Sequence, residues 1–403
     1  MLVLLLLAVI PLIGAEFPYS ARREAVRTQL EDGVTVLWGV VEQGSGKQRS
    51  GVFQETNFFY LTGWREPGAI LLLDPSREIL FLPRRSAESA KWTGPKSAPD
   101  DDDIAARSGF SQVQPVEHFE KELRVSLERF PKVYALAGTP ATGRLKQLAP
   151  LRDVLNAQPA IARLRMRKTV EEVARIQHAT DVTIEAHRAA WGRVSAGLHE
   201  YQIGATMAAI ALERGCERMA YAPIIASGPN AVTLHYWPNR RRMDSGDLLL
   251  MDVAAECSGY ASDVTRTIPV NGRFSARQRE LYDIVLAAQK AVVAAVKPGM
   301  RLSRGTVNSL YEIALQHFNR HELGQYFTHG IGHHVGLDVH DPADPLQPLE
   351  AGMVVTVEPG LYLPDEGIGI RIEDVVLVTE TGVRVLSSAL PKEPVEIEKA
   401  LRR

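Results

Sequence analysis

Four carboxylates lie inside or beside segments that otherwise read as buried strands. Asp252 ends the run Leu-Leu-Leu-Met-Asp at 248–252, and Glu358 ends Val-Val-Thr-Val-Glu at 354–358. Asp263 opens Asp-Val-Thr-Arg-Thr-Ile-Pro-Val at 263–270, and Glu373 interrupts Ile-Arg-Ile-Glu-Asp-Val-Val-Leu-Val at 370–378. A lone buried carboxylate is strongly unfavourable unless it takes up a proton or finds a counter-charge. The short glycine-containing connection within each pair implies neighbouring antiparallel strands, which would set two acids side by side. Like charges facing each other across a sheet repel. Two divalent cations among the four acids would relieve both difficulties. Any one acid alone fits an ordinary strand end or ion pair; two similarly placed pairs favour metal.

A fifth group comes from Thr-His-Gly-Ile-Gly-His-His-Val-Gly-Leu-Asp-Val-His-Asp at 328–341, with four histidines and three glycines. Such a segment is no ordinary helix, and its glycines let backbone approach a site closely. Four oxygen ligands and one imidazole suit Mn²⁺, Co²⁺ or Zn²⁺. Spacing alone does not choose among His329, His333 and His334. Strand alternation puts Arg371 on the same face as Glu373, with Asp374 on the other. A guanidinium there would orient the acid cluster and lower its pKa, the alternative being a salt bridge elsewhere on the sheet.

The elements that must position these groups are legible in outline. A helix from about Thr169 to Val194 opens with a Thr169/Glu172 capping box, and a second runs from about Ser275 to Val296 before Lys-Pro-Gly. The stretch 243–252 aligns with 349–358, each with a glycine (Gly246, Gly352) six residues before the acid. His235 and His340 precede the two acids by similar distances, and Asp263 and Glu373 follow them, so a duplicated half-domain is expected. Earlier in the chain, strands at 34–38, 69–73, 79–82 and 133–136 and a helix at 117–130 suggest a small α/β domain. Residues 94–103 read as a solvated loop. The expected division is 1–15 signal-like, 16–155 an N-terminal α/β domain and 156–403 an α+β catalytic domain.

Composition narrows the classes. The 403 residues carry 46 Lys+Arg against 48 Asp+Glu, a net charge of −2 that gives no pull toward nucleic acid or acidic lipid. Two cysteines, Cys216 and Cys257, make neither a disulfide framework nor a thiolate-rich metal site. No P-loop, His-Glu-x-x-His or Gly-x-Gly-x-x-Gly occurs. The apolar run 2–13, ending at Gly14-Ala15, is too short to span a membrane and reads as a secretory signal. Export to periplasm or exterior follows from that reading; a buried N-terminal strand in a cytoplasmic protein is the alternative. No other run reaches membrane-spanning length.

Together these segments resemble the M24 metallopeptidases of pita-bread fold, in their Xaa-Pro aminopeptidase (aminopeptidase P) branch, with Xaa-Pro dipeptidase next. The resemblance rests on Leu-His-Tyr at 234–236, Gly-Tyr-Ala-Ser-Asp-Val-Thr-Arg-Thr at 259–267, His-Gly-Ile-Gly-His at 329–333, Gly-Leu-Asp-Val-His-Asp at 336–341, Thr-Val-Glu-Pro-Gly-Leu-Tyr at 356–362 and Gly-Ile-Arg-Ile-Glu-Asp at 369–374. Gln-Glu-Thr-Asn-Phe-Phe-Tyr-Leu-Thr-Gly at 54–63 extends it to the N-terminal half. The resemblance implies an N-terminal domain of creatinase/aminopeptidase P type and a catalytic domain of two pseudo-twofold halves. It implies that Asp252, Asp263, His333, Glu358 and Glu373 hold two divalent ions, Mn²⁺ first with Co²⁺ or Zn²⁺ as alternatives, Asp263 and Glu373 bridging. His235, His329 and His340 become catalytic contacts to substrate or transition state, and Glu358 a proton shuttle. The implied reaction is attack by a bridging hydroxide on the bond between an N-terminal residue and proline. The implied partners are a peptide with proline second and further copies of the chain, as a dimer or tetramer. Trp92 is a weak candidate to cap a neighbouring site, an ordinary half-buried role being the preferred reading.

Overall fold

In the computed structural model, residues 18–41 and 53–402 are described, so the apolar run 2–13 lies outside the described residues. The chain divides into two compact units between Ile161 and Ala162. The first is built on a six-stranded mixed sheet of β1 (Gly33–Trp38), β2 (Ile70–Asp74), β3 (Arg77–Leu82), β4 (Val113–Pro115), β5 (Lys132–Ala135) and β6 (Val154–Asn156), in the order β4-β3-β2-β1-β5-β6. The hydrophobic runs of β1, β2 and β3 pair antiparallel, and β4, β5 and β6 join them in parallel. Val34, Val36, Leu72, Ile79, Phe81, Phe119 and Val133 form its core. All four strands expected in this half are present, and the expected helix runs Phe119–Arg129. Trp92 departs from its half-buried reading. The short helix Ala87–Thr93 buries none of its residues, and the indole is 82% exposed.

The second unit carries β7 (Arg218–Met219), β8 (Ile224–Ser227), β9 (Leu248–Asp252), β10 (Ala255–Cys257), β11 (Tyr260–Ala261) and β12 (Thr265–Pro269) in its first half. Its second half carries β13 (Val354–Val357), β14 (Gly360–Leu363), β15 (Ile368–Arg371), β16 (Asp374–Val378) and β17 (Val383–Val385). The duplication is visible in register. β9 pairs antiparallel with β12, Asp252 opposite Thr265, and β13 pairs antiparallel with β16, Val357 opposite Asp374. In each half, then, an acid-ending strand lies beside the strand that follows the second acid. Two long helices frame these sheets, Val170–Arg193 and Ala276–Ala295, each opened by a capping box (Thr169/Glu172 and Ser275/Gln278).

One bond departs from the cysteine reading. Cys216 and Cys257 are joined as a disulfide, fixing β10 to the segment after the Glu200–Glu213 helix. Two cysteines are too few for a framework but enough for one staple, and only the fold brings them together.

Candidate metal centre

The antiparallel pairs deliver the four acids to one cavity of about 280 Å³, whose lining includes His235, Asp252, Asp263, His329, His333, His340, Glu358, Arg371 and Glu373. The five expected ligands, the three expected catalytic histidines and Arg371 are therefore at one place, while His334, the other imidazole that spacing left open, does not line this cavity. Ligand atoms of Asp263, His333 and Glu373 lie within 4.8 Å of one another. His333 Nε2 is 3.3 Å from Asp263 Oδ2 and 3.5 Å from Glu358 Oε1. Arg371 Nη2 donates to Asp252 Oδ2 at 2.5 Å, while Asp374 turns away to Arg266, Gln289 and Lys392. Alternation along one strand thus separates a site-facing pair from a structural acid.

The His333 loop is built by close backbone contact. A Cβ on Gly332 would meet the Thr356 carbonyl oxygen at 2.1 Å, and one on Gly336 would meet the Asp341 carboxylate at 2.6 Å. Asp341 is held by Arg165 Nη2 at 2.7 Å and Lys168 Nζ at 3.0 Å, and its backbone N–H donates to the His334 carbonyl. This buried pair of cations holds the Asp341 carboxyl down at about 2 against the opposing effect of burial. His333 Nδ1 contacts the His334 carbonyl at 3.1 Å, so Nδ1 donates there and Nε2 is the nitrogen that faces the carboxylates.

Several groups that spacing did not reveal complete the site. The buried Tyr221 hydroxyl lies 2.5 Å from Asp252 Oδ1 and 2.6 Å from Asp263 Oδ1, so its single proton is shared between them. Burial, then the charges of those acids, keeps this phenol well above its usual pKa. Thr265 Oγ1 donates to Glu373 Oε2 at 2.6 Å, and Thr356 Oγ1 donates to Glu358 Oε1 at 3.1 Å, one threonine in each half. Tyr362 links Arg371 Nη1 (2.8 Å) to His329 Nε2 (2.9 Å), and His329 Nδ1 contacts the Gly330 carbonyl at 2.8 Å. Behind the first pair of strands, His187 Nε2 sits 3.3 Å from the Val253 carbonyl and 3.2 Å from that of Val264, each next to an acid of the site. The alternating strands expose Arg371 to sequence reasoning; Tyr221 and His187 come from elements whose approach no local pattern announces.

Charge decides what the cluster can hold. One guanidinium faces four carboxylates, an excess of negative charge that divalent cations would neutralise. Burial, followed by the charges of Asp263 and Glu358, pushes Glu373 well above the carboxylate range, and burial raises Asp263. Glu358 is raised by burial to about 7 despite the charge of His333. Burial alone would lower His333, but its contact with Asp263 and the charge of Glu358 lift it to about 9. Carboxylate oxygens and a single imidazole lone pair converging in this way fit divalent ions of hard to borderline character. By contrast, burial first and the Arg371 charge second keep His329 neutral, down at about 3. Burial and the charge of His333 hold His340 at about 4.

Residues 174–380 match metallopeptidase family M24, and residues 19–134 match the aminopeptidase P N-terminal domain. The chain belongs to the M24 metallopeptidases, and its fold is that of the family: an aminopeptidase P N-terminal domain followed by a pita-bread catalytic domain. It is 31% identical to the Xaa-Pro aminopeptidase of Haemophilus influenzae, over 95% of this chain and 96% of that one. It is 34% identical to mouse Xaa-Pro aminopeptidase 3, over 87% of this chain and 77% of that one. Among solved structures, Escherichia coli aminopeptidase P with the inhibitor Pro-Leu superposes with a TM-score of 0.85 at 30% identity, covering 95% of this chain and 97% of that one. Pseudomonas aeruginosa aminopeptidase PepP gives 0.87 at 30% identity, with the same coverage. The protein is thus a peptidase, a metallo-aminopeptidase that works with divalent metal ions.

Proposed function

We propose that this chain is an Xaa-Pro aminopeptidase with two divalent ions, Mn²⁺ first, held by Asp252, Asp263, His333, Glu358 and Glu373, with Asp263 and Glu373 shared between them. The observation that carries this reading is the convergence of those five side chains in one buried cavity with a single guanidinium. The Xaa-Pro aminopeptidases among its relatives support the choice of substrate. When bound, such ions supply Lewis acidity to the scissile carbonyl and a nucleophile from water at neutral pH.

The chain's own residues do the rest. Glu358, oriented by the Thr356 hydroxyl at 3.1 Å and facing the cavity, is placed to take a proton and pass it to the leaving nitrogen. His340, neutral and stacked on His333 at 3.8 Å, faces the cavity with His235, and either can donate to a developing oxyanion. His329 has both ring nitrogens engaged by Tyr362 and Gly330, so it orients the site wall. Asp252, already oriented by Arg371 and Tyr221, receives the substrate's free amine. A proline nitrogen carries no N–H, and a site that asks none of it accepts the tertiary amide.

Cleavage of a peptide panel varying length and second residue, with and without Mn²⁺, tests this reading. Release of the first residue from Xaa-Pro-Yaa is expected. Cleavage restricted to Xaa-Pro dipeptides would make the chain a dipeptidase, and no metal uptake with no cleavage would leave a silent peptide-binding relative. Export remains part of the proposal, supported by the run 2–13 and by the disulfide, since such bonds persist in oxidising compartments. Assembly into a dimer or tetramer is supported by the exposed Trp92 indole, and light scattering of the purified chain tests it.

A further inference from the structure

Two further cavities open onto the metal centre within the second unit. The smaller, about 230 Å³, lies beside Asp252 and Asp263 and is lined by Tyr221, Ile224, Trp237 and Val339. The larger, about 480 Å³, shares Gly330, Gly332, His333 and His340 with the centre and runs past Arg304. That volume is in the range of pockets that enclose a small ligand.

Charges along the larger cavity are unequally committed. Asp341 is fully engaged by Arg165 and Lys168, and Asp344 accepts from the Leu346 N–H at 2.9 Å. Arg304 is exposed, and among the described residues no carboxylate pairs with it. Its guanidinium lies 4.4 Å from the Tyr311 ring centroid. Tyr311 stacks on Phe327 at 4.8 Å, and Phe327 meets His329 edge-on at 5.4 Å. A ladder of rings therefore connects this cation to the wall of the metal centre. The loop bearing it is fixed: Ser303 Oγ donates to the Pro345 carbonyl, Arg301 Nε donates to the Leu346 carbonyl at 3.1 Å, and the Gly305 N–H donates to Glu312 Oε1 at 3.0 Å. A planar fork held over a ring keeps its donors aimed outward and ready for a bidentate partner.

A peptide whose amine is anchored on the Asp252 side must send its leaving portion the other way, into the cavity that Arg304 borders. Residues in extended form advance about 3.3–3.6 Å each, so a chain ending two or three residues past the scissile bond places its carboxylate along this cavity. We propose that Arg304 binds the C-terminal carboxylate of short peptide substrates, which makes the chain selective for small peptides with a free C-terminus. This rests on the aminopeptidase reading above.

The test compares a tripeptide with proline in second position as free acid and as C-terminal amide, using the Mn²⁺-loaded full chain, Arg304→Gln and Arg304→Lys. The unsubstituted chain should favour the free acid about tenfold, mainly through KM, and less so at high salt, because the guanidinium is exposed. Arg304→Gln should bring the free acid down to the level of the amide, and Arg304→Lys should keep part of the preference as a point charge without the fork. Equal cleavage of acid and amide by the unsubstituted chain would overturn the role of Arg304 while leaving the aminopeptidase reading standing. So would an equal loss on both peptides in Arg304→Gln. Cleavage of neither peptide by any form would bring down both.

Discussion

At the scale of single residues, the orientation of His333 carries the most chemistry. Its Nδ1 is committed to the His334 carbonyl, which turns Nε2 toward Asp263 and Glu358, so either a proton or a metal cation must lie between that nitrogen and the carboxylates. Asp263 is the acid common to His333, Tyr221 and the cluster with Glu373. Asp263→Asn keeps the shape and removes the charge. We expect it to lower turnover by at least about a thousandfold and to reduce bound metal per chain, with an unchanged circular dichroism spectrum. Peptide cleavage and elemental analysis check this together, and near-normal activity would refute the assignment of Asp263 as a ligand. The acids and Arg371 were legible in the sequence because a charge inside an apolar strand is locally anomalous. Tyr221 was not, since a tyrosine in a loop is unremarkable until the fold sets it across Asp252 and Asp263.

At the scale of elements, the long helix Val170–Arg193 does more than cover the sheets. Its His187, fully buried, ties together the backbone just after Asp252 and Asp263. Removing this donor takes its partner from the buried Val253 carbonyl, while the Val264 carbonyl still accepts from the Val253 N–H at 3.3 Å, and one such loss costs about 1–3 kcal/mol. His187→Leu should therefore lower the melting temperature and weaken Mn²⁺ binding in a titration, and His187→Gln, which retains a donor, should do less of both. Burial, with the charge of Arg266, lowers His187 to about 4. Because the folded-state pKa is depressed, the neutral ring contributes stability that is fully present above about 6.5 and is lost as pH falls from there to about 4. In that window, the stability of His187→Gln should depend on pH less steeply, by about one proton, as read from denaturant unfolding at a series of pH values. The disulfide belongs to the same scale. Cys216 and Cys257 are 41 residues apart, and closing a loop of that size stabilises by about 4 kcal/mol in the chain-entropy account. Reduction, or replacement of both cysteines by serine, should lower the melting temperature accordingly, and a calorimetric scan with and without reductant measures it.

For the whole molecule, the two units answer differently to metal. The four acids, His333 and their partners all lie in the second unit, so ligand linkage acts there. Metal at a hundred times its dissociation constant adds about 2.7 kcal/mol to the stability of the unit that binds it. Chelation should shift the unfolding of the second unit and leave that of the first in place, as proteolysis with peptide mapping along a thermal ramp would show. A shift confined to the first unit, or no shift at all, would argue against metal held by the second unit.

By itself the sequence determined the parts whose signals are local: the α/β character of the first unit, the helix beginning at Val170 with its capping box and the helix beginning at Ala276, the repeated strand pairs, and four acids set in surroundings too apolar to be accidental. Hydrophobic period and misplaced charge are written in neighbouring residues, so they survive being read without a fold. Tertiary structure decided what depends on distant segments meeting. It selected Nε2 of His333 as the nitrogen facing the acids, brought Tyr221, Thr265 and Thr356 to the carboxylates, set His187 behind the strands and joined Cys216 to Cys257. It also left Trp92 exposed where a half-buried indole was expected, because burial is a property of what packs against a residue and not of the residue. Which groups come into contact is set by packing between elements far apart in the chain, and no local pattern encodes it.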